Sequence, residues 1–144
     1  MTDPFDLNRF IRAQETVYSQ VNTELSQGRK QSHWMWYIFP QIAGLGFSAR
    51  SQRYAIASRG EAEAYLAHPV LGSRLIECTG LVLAVQGRTI HDILGSPDDV
   101  KFRSSMTLFA ATSDKAIFGE AIEKYFAGKR DPATLEILDK LDRG

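Results

Sequence analysis

The chain has 144 residues, enough for one domain with a real hydrophobic core. Its apolar fraction of 44% and charged fraction of 24% are those of an ordinary water-soluble protein. Seventeen basic and seventeen acidic residues cancel, which removes the electrostatic case for nucleic acid or an anionic membrane as the main partner. Cys78 is the one cysteine, so no intramolecular disulfide forms and a reducing compartment is expected. The start, MTDPFDLNRF, has no apolar signal-peptide core, and the longest apolar run, GLVLAV, is far too short to span a bilayer. The expectation is a cytoplasmic protein.

In chain order, Asp6 is placed to cap a helix that runs to about Gln27 and stops at Gly28. Ser32 then opens a short helix from His33 to about Ile38, which Pro40 ends. QIAGLGFSARSQ reads as a loop, with one further helical turn from Ser51 to Tyr54. Ser58 and Glu61 form a capping box for a helix ending near His68. Pro69 fits the first turn of a longer helix that closes at Gly87. Ser96, Pro97 and Asp99 start the next, Ser113 the one after, and Asp131 with Pro132 the last. Alternating strand patterns with Asn-Gly turns are absent. The class is all-α: a compact single-domain bundle, residues 1–144, of about six main helices and short turns around a central helix near 69–86. Leu75, Leu81, Val82 and Val85 of that helix are expected to be buried.

Four polar residues interrupt apolar stripes. Gln14 lies in the middle of the first helix's apolar face, where a buried amide needs partners: a loop carbonyl, a helix end or a ligand. Arg74 lies among Val70, Cys78 and Leu81, and a guanidinium cannot shed its charge there. Lys101 and Ser105 follow Asp98 in a polar row beside the stripe of Phe102, Met106 and Phe109. An ordinary ion pair between Asp98 and Lys101 accounts for the row as well as a cavity does. In HWMWYIFPQ, helical spacing puts His33 on one face with Trp36 and Tyr37. The segment reads as core and also as a rigid aromatic wall, with Trp34, Trp36 and Gln41 beside a flat ligand.

No metal-ligand spacing, nucleophile elbow or phosphate loop is present, so nothing calls for a metal or a cofactor. Cys78 sits mid-helix among apolar residues and reads as core.

HWMWYIFPQIAGLG, EAEAYLAHPVLGSRL and KFRSSMTLF, in this order and at these separations, resemble the bacterial domain-of-unknown-function family numbered eighteen-ten. The similarity runs from DPFDLNRF to about Tyr125, and its first segment is very specific. The label calpastatin, sometimes attached to relatives, does not fit, because no calpain-inhibitory repeat is present. The resemblance implies a compact all-helical fold and no particular reaction. Positions matching the family's signature include His33, Trp34, Trp36, Gln41, Gly46, Tyr65, His68, Gly72, Arg74, Lys101 and Ser105.

Two readings follow. In the first, the chain binds or processes a small anionic, nucleotide-like molecule. Arg74 and Lys101 hold the anion, Gln14, Trp34, Trp36, Gln41 and Ser105 line the cleft, and His33 serves as acid or base. In the second, it is a non-enzymatic interaction module whose polar core residues only fix the fold. Convergence of His33, Arg74, Lys101 and Ser105 on one cleft separates the two.

Overall fold

The computed structural model describes residues 3–144. Among these residues ten helices follow one another: α1 Asn8–Glu15, α2 Tyr18–Ser26, α3 Met35–Ile38, α4 Ala49–Arg53, α5 Arg59–Ala67, α6 Leu71–Ala84, α7 Ile90–Leu94, α8 Asp98–Thr112, α9 Ala116–Phe126 and α10 Pro132–Arg143. The all-α class holds. Among the described residues the only β pairing is one isolated parallel bridge, Ile42 with Ile56. No helix among them is long and apolar enough to cross a membrane.

α6 and α8 organise the packing. α6 lies against α2, α5 and α9, and α8 against α5, α7, α9 and α10. Leu71, Leu75, Cys78 and Val82 form the buried stripe of α6, while Leu81 and Val85, expected inside, are half-buried. α5 and α6 meet so closely that a Cβ on Gly72 would stand 1.9 Å from the Leu66 carbonyl oxygen, so only glycine fits there. His68 sits at that corner, and its Nδ1 accepts the Val70 and Leu71 N–H groups at the entry to α6.

The first long helix is two. Thr16 and Val17, β-branched and weak helix formers, separate α1 from α2, and the Gln14 carbonyl accepts the Val17 N–H in the turn. Asp6 is not the cap, because it takes a left-handed φ of 50°. Asp3 does that work instead, its carboxylate accepting the Leu7 and Asn8 N–H groups. Ser58 and Asp131 cap α5 and α10 as expected. Glu61 does not complete the box at Ser58: it is buried, accepts the Ala57 N–H and pairs with Arg9 at 2.7 Å. Ser48, not Ser51, caps α4. α7, capped by Thr89 and Asp92 in a full capping box, has no counterpart in the sequence reading.

Candidate functional site

Residues 31–54 divide between core and surface. Trp34 is wholly buried, and its indole N–H donates to Glu24 Oε1 at 2.9 Å. The same carboxylate accepts the Gln31 and Ser32 N–H groups and the Ser32 hydroxyl. Burial pushes this carboxyl up, but the Ser32 hydroxyl, the Gln31 N–H and the Trp34 indole outweigh it and hold the pKa at about 2. Trp34 is therefore part of the core and not a cleft wall. Ser32 is spent on Glu24, so the short helix starts only at Met35. His33 falls outside it, and the helical spacing that aligned His33 with Trp36 and Tyr37 does not apply. His33 is exposed at the surface. It makes no hydrogen bond to another described residue, and it is absent from the hollow that holds Lys101.

Gln14 is where the sequence pattern put it, 1% exposed on the inner face of α1. Its Nε2 donates to the Tyr37 carbonyl at 2.7 Å and to the Tyr65 hydroxyl at 3.1 Å, and its Oε1 accepts from Arg74 at 3.2 Å. Arg74 is half-buried, lies over the Tyr18 ring at 4.5 Å and has no ion pair to a described carboxylate. Burial raises the Tyr65 hydroxyl above its ordinary value and carries the Cys78 thiol up to about 12, so neither ionises near neutrality. This cluster braces α1, α3, α5 and α6 together. It does not reach the hollow described next, so Arg74 and Lys101 do not share a cleft.

That hollow lies between residues 41–51 and the start of α8. It measures about 390 Å³, and Gln41, Gly46, Phe47, Ser51, Lys101 and Asp131 are among its walls. Each wall has a local cause. The Ile42–Ile56 bridge fixes Gln41, whose carbonyl accepts the Ile56 N–H at 2.8 Å. Gly46 is pressed against Ser51, where a Cβ would meet the serine Oγ at 2.5 Å. Asp98 anchors the α8 end by pairing with Lys30 at 2.8 Å, and its other oxygen reaches Lys101 at 3.7 Å. Lys101 and Arg50 both stand over the Trp36 ring, at 5.1 and 5.4 Å. Asp131 turns Oδ2 to Ser104 and to the Thr134 N–H and hydroxyl. Phe47 is 88% exposed at the rim. Ser105, one turn beyond Lys101, is wholly buried with an unpartnered hydroxyl and is not a wall of this hollow.

The structure thus brings Trp36, Gln41 and Lys101 together and separates them from Gln14, Arg74, His33, Trp34 and Ser105. Sequence reasoning missed the exposed Phe47, Ser48 and Ser51. An aromatic between two glycine-permitted turns and a Ser-x-x-Ser cap was the available signal.

A small all-helical protein with a ligand-sized hollow, among others on its surface, beside an aromatic segment is the class these features define. A family model described as "Protein of unknown function (DUF1810)" matches residues 4–138, and the chain belongs to that family. The chain is also similar to the conserved hypothetical protein Rv1873 from Mycobacterium tuberculosis, known from a crystal structure. The two share 54% sequence identity at a TM-score of 0.94, over 95% of this chain and 99% of that one. No curated protein matches the chain. Neither the family nor this neighbour carries an assigned function.

Proposed function

We propose that the chain binds a small anionic, nucleotide-like molecule in the hollow between residues 41–51 and α8. One observation carries the reading: Gln41, with its amide free of other described residues, meets Lys101, held only by a long pair to Asp98 and by the Trp36 ring, at a concavity of ligand size. The Gln41 amide makes no hydrogen bond to another described residue, and the Lys101–Asp98 separation of 3.7 Å is long for an ion pair. A protein spends little to leave such groups free only where water or a ligand reaches them. The volume falls within the usual range for small-molecule sites, about 300–1,000 Å³. Phe47 at the rim offers a face for a flat, base-like group. His33, Arg74 and Ser105 do not converge with Lys101 on one cleft, so the reading is narrower than the sequence suggested: binding, resting on Gln41 and Lys101, with no part for the other three. Unpaired, buried Cys78 supports a cytoplasmic setting, and the balanced charge argues against nucleic acid and membrane partners.

The exposed Phe47 also favours a second reading, an interaction module that seats Phe47 in a partner protein. A thermal-shift series with AMP, ADP-ribose and sugar phosphates separates the two. Binding raises the wild-type midpoint by mass action, and the rise is largely lost in Lys101→Met. If no compound moves the wild-type midpoint, the small-molecule reading fails.

A further inference from the structure

The hollow has an inner end. A second, more enclosed niche of about 10 Å³ adjoins it and shares three of its walls, Gln41, Ser51 and Lys101. That volume admits about one atom the size of a water oxygen. Trp36 forms part of the niche wall, and its Nε1–H is buried with no acceptor among the described residues. The contrast with Trp34 is informative. The described residues supply Trp34 with a buried carboxylate and give the Trp36 indole N–H, two residues on, no acceptor. An orphaned indole N–H is costly to keep dry unless something outside the chain accepts it.

We propose, resting on the binding site assigned above, that the niche is the inner subsite of that hollow and takes one terminal oxygen of the ligand's oxyanion. Trp36 Nε1–H donates to that oxygen, the Gln41 amide supplies a second donor, and Lys101 Nζ balances the charge from its place over the Trp36 ring. The Asp131 carboxylate lines the outer chamber and not the niche, which sets the direction of the ligand. The anionic group points inward to Trp36, and the uncharged, flat part lies outward toward Phe47. The shared chemistry is a phosphate or carboxylate oxygen, whether on a free ion or on a nucleotide.

The chain has two tryptophans, so its nitrogen-15 spectrum holds two indole cross-peaks, and Trp36→Phe identifies which is which. Wild-type protein is titrated with AMP and, separately, with inorganic phosphate. The Trp36 peak moves downfield with AMP while the Trp34 peak, held by Glu24, stays. Movement with phosphate alone shows in addition that the oxyanion suffices. Trp36→Phe weakens AMP binding about tenfold, the effect of losing one hydrogen bond to a charged acceptor. If the backbone peaks of Ser48 and Ser51 move and the Trp36 indole does not, the niche holds a structural water only; the subsite is then refuted and the outer site stands. If AMP moves none of these peaks, both fail.

Discussion

Glu24 Oε1 accepts the Trp34 indole N–H at 2.9 Å, and both side chains are buried. Through this contact the loop after α2 is tied to the core before α3 begins. With four donors converging on one carboxylate, Glu24→Gln removes the charge they share and turns an amide N–H toward the Ser32 hydroxyl, which must then accept instead of donate. We expect a loss of about 2–4 kcal/mol in chemical denaturation. A change under 0.5 kcal/mol would show that the donors have other partners.

The same carboxylate sets an acid limit. Its pKa is lowered in the folded protein from 4.5 to about 2, so the stabilisation is fully present above pH 4.5 and is lost as pH falls toward 2. The amount is on the order of 2 kcal/mol after allowance for solvent screening. Stability measured from pH 6 to pH 2.5 should fall more steeply in the wild type than in Glu24→Gln. Parallel curves would assign the acid loss to other groups.

Helical periodicity found Gln14 because α1 is a regular amphipathic helix, and the residue is buried with partners on three elements. It also singled out Lys101, which borders the hollow, whereas Asp98 and Ser105 of the same row do not. It failed for His33 because a competing demand, the Ser32 hydroxyl and N–H on Glu24, delays the helix to Met35. No local pattern shows a contact made by a residue seven or eight positions earlier. The break at Thr16–Val17 was visible as two β-branched residues, but the apolar stripe continued across it. Arg74 and Lys101 both stood out from their stripes. Which side of the bundle each faces depends on how α6 and α8 pack, and that is a tertiary fact. Helix caps, terminating glycines and the absence of strand patterns supplied the all-helical class, and the family resemblance agreed with it and left the site open.

His33→Ala, by this account, leaves both stability and AMP affinity near wild type, with a stability change within about 0.5 kcal/mol, as for an exposed residue without partners. A large loss of affinity would return His33 to the site.

Ser105→Ala removes a buried hydroxyl that has no partner and installs a better helix former. Thermal unfolding should show an unchanged or slightly raised midpoint. A drop worth more than about 1 kcal/mol would mean that a buried water bridges this hydroxyl.

Gly46→Ala drives a methyl into Ser51, at 2.5 Å from its Oγ and 2.6 Å from its Cβ. Because Ser51 borders both hollow and niche, AMP affinity should fall further than stability does, a pattern read by pairing a denaturation curve with a binding isotherm. Gly72→Ala, which collides with the Leu66 backbone far from the hollow, should instead cost about 2 kcal/mol or more of stability and leave the affinity of the remaining folded protein intact.

The proposed binding site is the hollow at Gln41 and Lys101 and not the Gln14–Arg74 cluster. Calorimetric titration of AMP into wild type, Lys101→Met and Arg74→Met tests it most directly. Lys101→Met is expected to raise Kd at least tenfold, about 1.4 kcal/mol, and Arg74→Met to stay within about twofold of wild type. Loss of binding in Arg74→Met with Lys101→Met unaffected would contradict it.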